Sequence, residues 1–464
     1  ESTPMTEPAS APQALAAIAE RLATANARFA AQYPASAPAR QPVHSVYGGA
    51  HLFQAGGQQR LGQLALASLA EYAPDAATLA EALGLPADAA LAHAVYERVR
   101  AKLAREPVED QRADFEDGYG YRADAEEDAH ARAVGQQLAA GLADGTLPPF
   151  VGIRIKALSA EAAPRAIRTL DLVLESLAAR SGGAVPPRFV VTLPKVAMPE
   201  QVASLAQMLA ALERAYGIAP GALAIDLMIE MPQAIVNERG ENGVRHLVEA
   251  GDGRVMSIAF GTYDYTASCE ITARYQAHDH PAADFARHAI QAALAGTGIT
   301  ISDSVTTLMP IGPHRAAAGQ PLSAAQRDEN RTVVWHAWKV HYDNIRRSLR
   351  HGYYQSWDLH PAQLPVRYAA VYAFFLEQRE EAARRLRAFL DRASQASLVG
   401  NTFDDAATGQ GLLNFFLRGI ACGALTEGET EAAGVTLEEL RSRSFMQIVA
   451  GRRAGPPAAD TART

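Results

Sequence analysis

Glu230, in Leu-Met-Ile-Glu-Met-Pro, and Asp264, in Phe-Gly-Thr-Tyr-Asp-Tyr, each stand where an apolar run gives way to a loop, in consecutive strand-like segments. A carboxylate beside hydrophobic strand residues is costly unless something positive neutralises it. A hard divalent cation such as Mg2+ does so and keeps positions open for substrate oxygens. The pair is therefore the first candidate metal site. Other polar groups fall at equivalent places: Asp114, Glu116 and Asp117 after the second strand-like run, Arg154 and Lys156 on the third, Lys195 after the fourth and His360 after the eighth. In Val-Gly-Ile-Arg-Ile-Lys, alternation puts Arg154 opposite Ile153, so Arg154 points inward if Ile153 faces the surrounding helices. An inward guanidinium needs an anion, either Glu116 or Asp117 as a structural partner or an oxyanion during catalysis. Lys195, in Leu-Pro-Lys-Val, can form a Schiff base or, beside a metal pair, act electrostatically. His360 reads as a hydrogen-bonded framework residue or a substrate contact, and Asp404 or Asp405, within residues 401–409, reads as an N-cap.

These residues need a scaffold that brings strand ends together. Strand-like runs occur at Val43 to Val46, Arg112 to Phe115, Val151 to Ile155, Phe189 to Leu193, Ala224 to Ile229, Val255 to Ala259, Thr306 to Met309 and Gln355 to Leu359. Helix-like runs separate them, such as Pro199 to Tyr216 with Val202, Leu205, Leu209 and Leu212 on one face. Eight such units predict an α/β (β/α)8 TIM barrel with its chemistry at the carboxyl ends of the strands. An amphipathic arm, with Leu15, Ile18, Leu22 and Phe29 at helical spacing, fills much of residues 1–41 and is expected to pack on the barrel of residues 42–364. An insertion at about 312–351 carries Trp335, Trp338, His341 and Tyr342 on a helix, as a lid or as a packing or subunit contact. Residues 365–464 read as a C-terminal helical cap ending in a mobile tail from Gly455.

The chain has 464 residues, 48% of them hydrophobic, enough for a large core. A formal charge of -8 and a pI near 5.9 argue against a nucleic-acid surface and favour small-molecule chemistry. Cys269 and Cys422 are far apart, which suggests neither a disulfide framework nor a zinc site and points to the cytoplasm. No apolar stretch reaches a membrane span, no signal-peptide pattern opens the chain, and Met5 reads as a natural start.

Taken in order, Asp-Phe-Glu-Asp, Leu-Pro-Lys-Val, Ile-Glu-Met-Pro, Phe-Gly-Thr-Tyr-Asp-Tyr and Leu-His-Pro-Ala-Gln resemble the motifs of the malate synthase and citrate lyase β-subunit superfamily. That superfamily includes malyl-coenzyme A lyases and metal-dependent 2-oxo-acid aldolases. Ala286 to Val305 is similar to the approach to its seventh strand, and Phe-Asp-Asp-Ala-Ala-Thr is similar to the malate synthase motif whose second acidic residue is the catalytic base. The resemblance implies that Glu230 and Asp264 bind Mg2+, that Arg154 faces the reacting carbonyl oxygen, and that a helical domain brings Asp405 over the barrel mouth as base. Lys195, Gly261, Thr262, Tyr263 and His360 would contact substrate, with Glu116 and Asp117 in support. The implied activity is a Mg2+-dependent carbon–carbon lyase or aldolase acting through an enolate on glyoxylate, pyruvate or oxaloacetate, in a chain that can form a homo-oligomer. Two alternatives stand beside it: a Claisen condensation of glyoxylate with the acyl-CoA acetyl-coenzyme A, and a non-catalytic barrel that binds a metabolite.

Overall fold

Eight short parallel strands pair in chain order and close on themselves, since β1 hydrogen-bonds to both β2 and β8. They are β1 His44–Gly49, β2 Asp110–Asp114, β3 Phe150–Arg154, β4 Val190–Leu193, β5 Ala224–Ile229, β6 Val255–Phe260, β7 Thr300–Val305 and β8 Gln355–Asp358. This computed structural model describes residues 11–34, 40–316, 320–391, 397–399, 402–404, 406–431, 434–442 and 448. Helix α1 (Ala11–Gln32) precedes the barrel, and α2 (Gly57–Tyr72), α3 (Ala76–Leu83) and α4 (Ala89–Arg105) connect β1 to β2. The next crossovers carry α5 (Asp124–Asp144), α6 (Ala163–Ser181), α7 (Pro199–Tyr216), α8 (Pro232–Ile235) and α9 (Val244–Ala250). Those flanking β7 carry α10 (Thr262–Ser268), α11 (Pro281–Leu294) and α12 (Ala324–Arg350). After β8 come α13 (Leu364–Asp391), the hairpin β9 (Ser397–Val399) and β10 (Thr402–Asp404), α14 (Ala406–Ala421), α15 (Glu427–Glu431) and α16 (Leu437–Ser442).

Alternation sorts each strand. Val151, Ile153, Val191, Ile225, Leu227 and Ile229 face outward and pack with Val134, Leu138, Leu170, Leu177, Leu205 and Leu209 of the helices. The base of the interior is polar and internally paired. Arg112 Nε and Nη2 donate to Asp110 at 2.8 Å each, Ser45 Oγ donates to Asp110 at 2.7 Å, and Thr192 Oγ1 donates to Asp226 at 3.0 Å. Above it Tyr47, Met228, Ala259, Val305 and Trp357 form an apolar layer that floors the mouth.

Three expectations are corrected. The seventh strand is Thr300–Val305, not Thr306 to Met309. Its polar residues hid it from an apolar-run reading, because Asp303 faces a buried arginine, Arg287, rather than solvent. With β7 ending at Val305, residues 312–351 are the loop and helix of an ordinary crossover: α12 buries Trp338, Tyr342, Ile345 and Leu349 and packs on α2, α3 and α13. The amino-terminal helix forms, but Leu15, Ile18, Leu22 and Phe29 are 50–66% exposed and α1 buries no residue, so it does not pack on the barrel.

The carboxy-terminal helices lie toward the base of the barrel rather than over its mouth. Helix α13 starts beside the mouth, where Gln363 Nε2 donates to Thr306 O, and runs downward. The Tyr368 hydroxyl donates to Pro107 O ahead of β2, and Phe375 stacks on Tyr354 just before β8. Gly409 of α14 lies against Phe389, about 20 Å farther along α13 at 1.5 Å per residue. The other end of α14 meets the start of β1, where Gln41 N donates to Ala421 O. Asp405 and the tail from Gly455 lie outside the described residues. Cys269 is exposed and Cys422 buried, and both are free. Among the described residues no helix is long and apolar enough to cross a membrane.

Candidate active site

The carboxyl ends of β2 to β6 converge on one polar cluster. Glu230, the first residue past β5, is 1% exposed, and its Oε1 accepts the Lys195 N–H at 2.8 Å. That contact needs Lys195 in a left-handed conformation, φ 52°, a backbone region that non-glycine residues occupy only when surroundings impose it. The Lys195 ammonium then reaches three carboxylates: it donates to Glu116 Oε1, lies 3.3 Å from both Asp117 oxygens and 3.7 Å from Asp264 Oδ1. Asp264 stands in the first turn of α10, with a side chain 40% exposed. Gly261, just before this helix, has no Cβ because Glu230 Oε2 occupies that space.

Arg154 points inward as alternation required, but its main partner is Asp114. Nε donates to Oδ1 at 2.6 Å and Nη2 to Oδ2 at 2.5 Å, a bidentate lock that leaves Nη1 3.2 Å from Glu116 and 3.9 Å from Asp117. Asp114 also accepts the backbone N–H groups of Glu116 at 2.9 Å and Gly118 at 2.7 Å, so one carboxylate fixes both the arginine and the loop after β2. Below, the Tyr47 ring lies 5.0 Å from the guanidinium carbon. Sequence reasoning missed Asp114 as the partner and Tyr47, Met228 and Trp357 as the floor. The period-two alternation Asp110, Arg112, Asp114 was the available signal for the first.

Burial, and next the negative charge of Asp264, push the Glu230 carboxyl up to about 8. Burial alone would pull the Lys195 ammonium down, but Glu230, Glu116 and Asp264 outweigh it and keep it protonated. Burial raises Glu116, whereas for Asp117 the same effect is outweighed by Lys195 and Arg154 and the carboxyl titrates low. Asp114 likewise outweighs burial to keep Arg154 charged.

Among the described residues no three His, Cys, Asp or Glu side chains group as a metal cage. The candidate donors are instead two carboxylates, Glu230 and Asp264, that follow β5 and β6. One is wholly buried and holds a proton to about pH 8, and an ammonium stretches across its neighbours. That donor set fits Mg2+, which takes one or two carboxylates and fills its remaining positions with water or substrate oxygens.

Two expected substrate contacts are engaged by the protein itself. Thr262 is completely buried: its N–H donates to Ser304 Oγ at 3.0 Å and its hydroxyl accepts from Arg287 Nη2 at 3.3 Å. His360 caps the turn Pro361–Gln363 through Nδ1, which accepts the Ala362 N–H at 3.2 Å, so the neutral ring carries its proton on Nε2. Tyr263 remains at the mouth, against the floor layer, with its hydroxyl 3.2 Å from Thr307 Oγ1. Lys156 is diverted to the barrel wall, donating to Phe115 O and Glu127 Oε2 at 2.7 Å each.

The model of the family described as Domain of unknown function (DUF6986) matches residues 22–448. No curated protein matches the sequence. Among solved structures, a citrate lyase from Burkholderia xenovorans LB400 is similar with a TM-score of 0.54 and 19% identity, over 85% of this chain and 97% of that one. The protein CitE from Mycobacterium tuberculosis, in complex with magnesium, acetoacetate and coenzyme A, has a TM-score of 0.44 and 18% identity over 71% of this chain and 95% of that one. A magnesium and glyoxylate complex of the Haloferax volcanii malate synthase has a TM-score of 0.39 and 14% identity, over 74% and 87%. At 19% identity the likeness to the citrate lyase speaks to the fold alone.

Proposed function

Because the chain belongs to the DUF6986 family, whose description assigns no activity, we propose its function from the barrel mouth: a Mg2+-dependent carbon–carbon lyase or aldolase acting on a small 2-oxo acid such as glyoxylate, pyruvate or oxaloacetate. The observation that carries this reading is the junction of buried Glu230, Asp264 and Lys195 at one end of the barrel, with an Asp114-locked guanidinium in the same polar cluster. Mg2+ held by Glu230 and Asp264 would supply a Lewis acid to the keto group.

The protein groups supply the rest. Lys195 stays protonated and so suits a substrate carboxylate better than a Schiff base, which requires a neutral amine. Arg154, preorganised by Asp114, stabilises the enolate oxygen of the donor, a role worth about 3 to 4 kcal/mol for one well-placed donor. In condensation, Asp405 takes the donor's α-proton, the enolate carbon bonds to the keto carbon, and the new alkoxide gains a proton. Cleavage reverses each step: the hydroxyl loses its proton, the carbon–carbon bond breaks, and Asp405 returns the proton to the enolate carbon. The contact of Gly409 with Phe389, far along α13 from the mouth, supports a reading in which Asp405 would serve the mouth of a second copy.

The test is deuterium uptake at the α-carbon of pyruvate and related 2-oxo acids in the presence of Mg2+. Asp405→Asn is expected to abolish uptake while Mg2+ and 2-oxo-acid binding persist; unchanged uptake removes Asp405 from this role. Absence of both binding and uptake in the unaltered protein sinks the whole reading. Free thiol released from acetyl-coenzyme A and glyoxylate would instead identify the Claisen reaction.

A further inference from the structure

Asp264 projects from a helix of seven residues that is too short to hold its own geometry. Its start is gripped from two sides. Ser304 Oγ accepts the Thr262 N–H at 3.0 Å, and Arg287 Nη2 donates to the Thr262 hydroxyl at 3.3 Å. Arg287, 1% exposed on α11, is held in turn: Nε donates to Asp303 Oδ1 at 2.8 Å, Nη1 donates to Asp284 Oδ1 at 3.1 Å, and its carbonyl accepts the Tyr353 hydroxyl at 2.7 Å. Asp303 is completely buried, and its Oδ1 also accepts the Ser304 N–H at 2.7 Å. Its Oδ2 accepts the Ser348 hydroxyl at 2.6 Å, and His278 Nε2 lies 3.5 Å away. The hydrogen bonds thus close a loop from Asp303 through Arg287 and Thr262 to Ser304 and back.

Desolvating two charges is expensive, and an apolar pair of similar volume would fill the space between β7 and α11 at less cost. What the ion pair adds is direction, since a guanidinium whose Nε and Nη1 are held by two carboxylates places its remaining nitrogen at a fixed point. That point is Thr262. The residue before it, Gly261, packs directly on Glu230 and donates its N–H to Ile229 O at 3.0 Å. One short segment therefore touches Glu230 at its first residue and carries Asp264 three residues later.

We infer that Arg287 and Asp303 are positioning residues for the cation site: through Thr262 they set where Asp264 stands relative to Glu230. This rests on the proposal that those two carboxylates bind Mg2+. Outer groups that orient metal ligands commonly change affinity by about 10-fold to 100-fold when removed, and this clamp belongs to that range.

Calorimetric titration with Mg2+ alone, on the full chain, tests it. Thr262→Val, which removes only the hydroxyl that Arg287 holds, is expected to weaken Mg2+ binding at least about 10-fold, whereas Thr262→Ser, which restores the hydroxyl, keeps the wild-type affinity. Arg287→Met is expected to match Thr262→Val; if it fails to fold, the Thr262 pair decides alone. In the metal-free protein, amide exchange at residues 262–266 should be faster in Thr262→Val than in Thr262→Ser. Unchanged Mg2+ affinity in Thr262→Val, with normal binding by the unaltered protein, overturns the inference. If the unaltered protein binds no Mg2+, the proposed function falls separately, and equal exchange in the two Thr262 variants then overturns the clamp.

Discussion

Glu230 is the residue at which the local physics is least forgiving. An ordinary glutamate sheds its proton near pH 4.5, but burial and the neighbouring Asp264 raise this carboxyl to about 8. A folded pKa raised above the unfolded one means that the associated stability is complete below the unfolded value and is lost as the pH climbs through the folded value. The metal-free protein should therefore melt at progressively lower temperature between about pH 5 and pH 8, and Glu230→Gln should flatten that slope in scanning calorimetry. Mg2+ must displace the same proton, so its affinity should rise with pH by up to about tenfold per unit until the carboxyl is ionised. A pH-independent affinity measured from pH 6 to about pH 8 would remove Glu230 as a ligand. The candidate site residues were legible because a carboxylate after an apolar run is expensive wherever it lies. Which anion Arg154 would choose was not legible, since Asp114, Glu116 and Asp117 are all within a few residues and only side-chain geometry separates them.

At the scale of elements, strands and crossovers followed from periodicity wherever one face met the apolar shell. Ala224–Ile229 is a clear case, with Ile225, Leu227 and Ile229 all outward. β7 escaped this logic because its outward side meets Arg287 and Ser348 instead of leucines. Helix packing also depends on single atoms. At Gly135 of α5 a Cβ would meet Val173 O of α6, so Gly135→Ala should destabilise the fold by about 1–3 kcal/mol in denaturant titration, with Mg2+ affinity unchanged. Helix α1 tests the opposite limit. As it buries nothing, deletion of residues 1–32 should shift the stability of an isolated chain by less than about 0.5 kcal/mol; a larger loss would show that the arm packs somewhere.

For the whole molecule, the decisive relation is between the two ends of the barrel. The cluster of Glu230, Asp264 and Lys195 is at the carboxyl ends of the strands, and α13 leads away from it for about 40 Å at 1.5 Å per residue, so Gly409 of α14 meets α13 far from that cluster, at Phe389. Arg154→Met and Asp405→Asn chains, each inactive alone, should therefore regain deuterium uptake when mixed under conditions that exchange subunits. Failure to complement would require the base to come from its own chain. The sequence by itself determined the barrel, the order of its strands and the acidic and basic residues at their ends, because alternation and the cost of unpaired charge are local properties. Only the tertiary structure decided that Asp114 locks Arg154, that Thr262 is buried and bonded to Ser304 and Arg287, and which end of the barrel the carboxy-terminal helices cover. These outcomes depend on distances between segments far apart in the chain, which no local pattern encodes.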